Sequence, residues 1–61
     1  MLSEEQGIQA IIELQAKAGV VETREQAKAG WENMLESEKV NTEYAYTIIC
    51  GGFKNGFEEV N

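Results

Sequence analysis

The 61-residue chain contains no histidine and no proline, and its one cysteine is Cys50. Aspartate is missing as well, so all 11 acidic residues are glutamates. Each absence excludes a class of function. Without histidine the chain lacks the commonest transition-metal ligand and the usual neutral-pH general base. Without aspartate it lacks the motifs that hold calcium or magnesium. A lone cysteine forms no intrachain disulfide, which excludes a small scaffold stapled by its own bridges. No run approaches the roughly 18 apolar residues of a membrane span. Residues 1–5, with two glutamates and no basic side chain, do not read as a signal peptide. The expectation is a cytoplasmic chain with no metal, no cofactor and no membrane association.

The charge that is present has one dominant sign. Five basic against 11 acidic residues leave a net charge of −6. Phosphate backbones are bound by clustered lysine and arginine, so direct nucleic-acid binding is not expected. A protein partner is. At this length residues 1–61 form a single domain, and one that buries only about 60% of its unfolded surface. With disulfide and metal both excluded, packing and partner chains are left to stabilise it.

Two helix starts are legible. Ser3 with Gln6, and Thr23 with Gln26, are capping-box pairs, and Glu4 and Glu5 suit the positive end of the first helix dipole. Ile8, Ile11, Ile12, Leu14 and Ala18 share roughly 160° of the first helix, with Gln6, Gln9, Glu13 and Lys17 on the other side. Gly19 suits a left-handed C-terminal residue. On the second helix Ala27, Gly30, Trp31, Met34 and Leu35 share roughly 140°, which makes Trp31 a core residue. Glu38 would enter that arc, so the second helix is expected to end near Ser37. Asn41 or Thr42 is a candidate cap for a third helix, although a start nearer Glu36 is also compatible with the pattern. The repeated string Gln-Ala-Lys-Ala-Gly at 15–19 and 26–30 is too short to mark a structural repeat.

Residues 51–58 allow two readings. Asn55-Gly56 between Phe53 and Phe57 fits a hairpin turn. Drawn instead as one helix over 42–58, the apolar residues from Ala45 to Phe57 occupy an unbroken arc of roughly 200°. That segregation favours helix, even though each interior glycine costs about 1 kcal/mol relative to alanine. An arc so wide faces two neighbours. The expected fold is therefore all-α, with helices at about 4–18, 24–37 and 42–58, assembled as a homo-oligomer. Its interface is expected at Ala45, Tyr46, Ile49, Gly52, Phe53, Gly56 and Phe57. A three-helix monomer that covers the same arc from both sides is the alternative.

Chemistry finds few candidates. Adjacent pairs such as Glu4-Glu5 and Glu58-Glu59 diverge on a helix and form no acid–base dyad, so no catalysis is expected. Cys50 has no basic neighbour in sequence to activate it and reads as a small core side chain. Gly51-Gly52 and Gly56 lack the Lys-Ser/Thr and the preceding strand of a phosphate loop. Exposed aromatics beside charge anchor protein interfaces. Tyr44 and Tyr46 are thus the surface candidates, and Tyr44 with Glu32, Glu36 and Glu43 makes the expected partner surface.

Two short stretches resemble known families. Trp31 to Lys39, Trp-Glu-Asn-Met-Leu-Glu-Ser-Glu-Lys, resembles the second-helix turn of HMG boxes, although those domains are basic and this chain is acidic. Gly52-Phe53-x-x-Gly56-Phe57 is similar to a pattern in small proteins of phages and prophages of Gram-positive bacteria. The reading that joins these points is a non-catalytic protein-binding regulator or inhibitor, encoded by a mobile element. Two alternatives stand beside it. One is a DNA mimic whose glutamates occupy a basic groove. The other is an oligomer that sequesters a small ligand such as a nucleotide.

Overall fold

Three helices form, and two begin where the capping pairs stand. The computed structural model describes residues 2–52, with α1 at Glu4–Lys17, α2 at Arg24–Glu32 and α3 at Glu36–Cys50. No strand occurs among the described residues. Ser3 and Gln6 exchange backbone-to-side-chain hydrogen bonds at 3.0 and 3.2 Å, and Thr23 and Gln26 do the same at 3.0 and 3.1 Å. Each pair satisfies two amides left unpaired at a helix start. α1 closes on Gly19, whose φ of +86° lets Val20 N–H reach the Gln15 carbonyl at 2.8 Å, as in a Schellman turn.

The other boundaries differ from expectation. α2 stops at Glu32 rather than near Ser37, and α3 starts at Glu36, six residues before Thr42 and at the earlier of the starts the sequence pattern allows. Leu35 is extended (φ −78°, ψ 162°) and breaks the chain between them. Glu38 explains both shifts. Its carboxylate turns back to accept the Leu35 N–H at 2.9 Å, forming half of a capping box, and so avoids the apolar arc that a longer α2 would have pushed it into. Leu35 has no polar side chain, which is why this start carries no capping signal. The far end of α3 is also corrected. Gly51 and Gly52 have φ of +81° and +74°, and two successive left-handed residues cannot continue a right-handed helix. The helix drawn over 42–58 therefore ends at Cys50, and its residues 53–58 lie outside the described residues.

α1 is the shared element: it packs against both α2 and α3, which touch each other far less. Ile8, Ala27 and Trp31 form the core between α1 and α2, with Leu2, Ile11, Ile12 and Met34 packed around them. The indole of Trp31, only 4% exposed, lies directly on the backbone of α1 at Gly7. A Cβ at Gly7 would stand 2.5 Å from Cε2 and Cε3 of that ring, well inside van der Waals contact. Glycine is needed here for close approach and not for its backbone freedom. Lys39 Nζ from α3 sits over the indole, 5.0 Å from the ring centroid, a cation–π contact worth about 0.5–1 kcal/mol where solvent reaches it.

Gly7 and Gly30 make a matched test. Each lies inside a helix, but a Cβ at Gly30 meets nothing within 4 Å. Gly30→Ala should stabilise the fold by about 0.5–1 kcal/mol through helix propensity. Gly7→Ala gains the same propensity yet forces the indole aside, an overpacking cost of about 1–3 kcal/mol. Chemical denaturation should place the two variants on opposite sides of the parent.

Candidate protein-binding face of the third helix

α3 has two apolar faces. The inner one is organised by Tyr46, which is 4% exposed. Its hydroxyl donates to Glu13 Oε1 on α1 at 2.8 Å. Glu13 is held in turn by Gln9, whose Nε2 donates to Oε2 at 2.8 Å. A buried tyrosine needs such an acceptor, because an unpaired hydroxyl in apolar surroundings is costly. Burial and the Glu13 carboxylate together push the phenol up to about 12. This corrects two expectations. Tyr46 is not on the surface, and the Gln9–Glu13 side of α1 is not left to solvent but receives α3. An i,i+4 Gln–Glu pair opposite a tyrosine was the available signal, although its distance of 33 residues from Tyr46 hides it in the sequence.

The outer face carries Val40, Tyr44 and Ile48, which are 50%, 68% and 61% exposed. Successive positions four apart advance about 40° on a helix and rise about 6 Å, so the three make one continuous stripe. Ser37 and Thr47 fall within the same arc by periodicity, and the arc contains no charged residue. Single exposed apolar residues are ordinary; an uncharged row of three on one short helix is the feature that matters. Fully burying such a side chain contributes about 1.5–3 kcal/mol, whereas a domain of this length holds roughly 3–9 kcal/mol in all. Covering the stripe would change stability by a large fraction of the total.

The expected interface residues separate in space. Tyr46 faces inward, Ala45 is half-buried, and Ile49 is exposed. Gly52 lies beyond the helix. Phe53, Gly56 and Phe57 lie outside the described residues. Of the expected partner surface, Tyr44, Glu32 and Glu36 are exposed and Glu43 is half-buried. Glu36 and Glu43, seven residues apart, lie along one edge of the stripe by helical period. Glu32 belongs to α2, where it faces Lys28 at 3.9 Å. Cys50 is a free, half-buried thiol at the end of α3. Among the described residues no group of three or more potential ligands is placed to hold a metal ion, and no helix is long and apolar enough to cross a membrane. Compared with protein-family models, curated proteins and solved structures, the chain has no match.

Tyr46 gives the fold a definite alkaline signature. A phenol held protonated in the folded state contributes stability that is complete below its unfolded value near 10 and is lost as pH rises through about 12. About 1–3 kcal/mol should disappear across that window. Tyr44→Phe leaves Tyr46 as the remaining tyrosine, so an ultraviolet titration of that variant should show tyrosinate forming near pH 12. The parent's loss of stability beyond pH 10 should be smaller in Tyr46→Phe.

Proposed function

We propose that this chain is a non-catalytic protein-binding protein that self-associates through the outer face of α3. The observation that carries the reading is the stripe Val40–Tyr44–Ile48, apolar, exposed and free of charge on a chain of net charge −6. Its pattern is suited to a second copy. Read from either end, the row runs aliphatic, tyrosine, aliphatic with equal spacing. An antiparallel pairing about a two-fold axis at Tyr44 therefore sets Val40 of one subunit against Ile48 of the other at both ends, which is the self-complementarity an isologous contact requires. Glu36 and Glu43 lie along the edge of the stripe by helical period and form part of the rim of such a contact; with exposed Glu32 on α2 they are the acidic groups proposed to meet a further, basic protein partner.

Charge sets the salt dependence. Two subunits of like charge repel each other, and added salt screens that repulsion while leaving apolar burial in place. Sedimentation of the parent should show self-association that tightens from low to high salt. Tyr44→Glu should shift the molecule to its 6.8 kDa monomer with unchanged helical content, because Tyr44 lies outside the core. A parent that stays monomeric at high concentration in both salts would overturn the proposal.

A further inference from the structure

α3 carries four charged residues, Glu36, Glu38, Lys39 and Glu43. Two are engaged within the subunit: Glu38 caps the Leu35 N–H, and Lys39 lies over the Trp31 ring. Glu43 is half-buried and immediately precedes Tyr44. One residue turns a helix by about 100° and raises it by about 1.5 Å, so Glu43 stands on one flank of the stripe, level with its centre. Glu36 stands on the same flank, about 10 Å nearer the start of α3. The orientation of the pairing decides what each of them meets. In the antiparallel arrangement about a two-fold axis at Tyr44, a flank of one subunit lies beside the same flank of the other. The two Glu43 residues then meet beside the axis, about 3 Å apart in height, whereas the copies of Glu36 and of Glu38 are separated by more than about 15 Å. That separation exceeds the Debye length of about 8 Å at physiological salt. In a parallel arrangement Glu43 would instead face the flank that carries Asn41 and Ala45.

We infer, on the reading that α3 self-associates through the stripe, that Glu43 is the residue that sets the strength and the partner preference of that contact. Flanking charges of this kind set partner choice and orientation in paired helices. Here the two flanking charges beside the axis are alike. They oppose the apolar burial at Tyr44, keep the pairing reversible, and carry most of its salt dependence within α3. A surface charge pair shifts an equilibrium by up to about fivefold, enough to tune an association without abolishing it. The partner that fits this face best is therefore a copy of the same helix in which the charge at position 43 is removed or reversed.

The test is sedimentation of the full chain and its variants in low and high salt, followed by mixing. Glu43→Gln should tighten self-association by about two- to fivefold in low salt and weaken its salt dependence, while Glu36→Gln on the same flank should change neither. Native mass spectrometry of isotope-labelled parent mixed with Glu43→Lys should show the mixed pair above its statistical proportion, because opposite charges then meet at the axis. Parent mixed with Glu36→Lys should stay at that proportion. Should Glu43→Lys fail to fold, the comparison of Glu43→Gln with Glu36→Gln decides. A self-associating parent whose two glutamine variants behave alike would overturn the inference and leave self-association standing. So would a folded Glu43→Lys that mixes at the statistical proportion. A parent that is monomeric throughout would overturn the inference together with the reading on which it rests.

Discussion

The contact on which the remaining structure depends is the one between the Trp31 indole and the bare backbone of α1 at Gly7. It sets how close α2 comes to α1, and it brings the largest side chain of the sequence into one cluster with Ile8 and Ala27. In a core whose buried apolar members are Ile8, Ala10, Ala27, Trp31 and Tyr46 among the described residues, one aromatic ring supplies much of the area removed from water. Interiors are packed as densely as organic crystals, so the ring admits no extra methyl beneath it. The same indole receives Lys39 from α3, and α3 is thereby tied to the position that Gly7 allows.

A second constraint fixes the roll of α3. Hydrophobic contact alone is not directional, and α3 has apolar residues on opposite sides. The chain from Gln9 through Glu13 to the Tyr46 hydroxyl selects between them, because the buried phenol must find its acceptor and only one rotation of the helix places it there. Tyr46 turned inward leaves Val40, Tyr44 and Ile48 outward. The exposed stripe is thus a consequence of a buried hydrogen bond on the opposite side of the same helix.

The exposed stripe reflects the size of the chain. A fold of this length has too few elements to enclose every apolar face it presents, and it lacks the cross-links by which other small folds compensate. The uncharged arc of α3 marks the place where burial would add most.

The local chemistry of the chain was sufficient to determine the all-helical class, the two capping-box starts, the glycine at the end of α1 and the burial of Trp31. Each of these follows from residues a few positions apart, through hydrogen bonds and periodicity that operate without knowledge of the fold. Tertiary structure decided the rest. Glu38 caps α3 instead of extending α2 because a carboxylate could not enter the arc that packs on α1. Tyr46 is core and Tyr44 is surface because an acceptor 33 residues away faces only one of them. Gly7 looks like a flaw in a helix until a ring arrives from another helix to lie on it. Contacts of this kind join positions that share no local pattern, and only the packed chain brings them together.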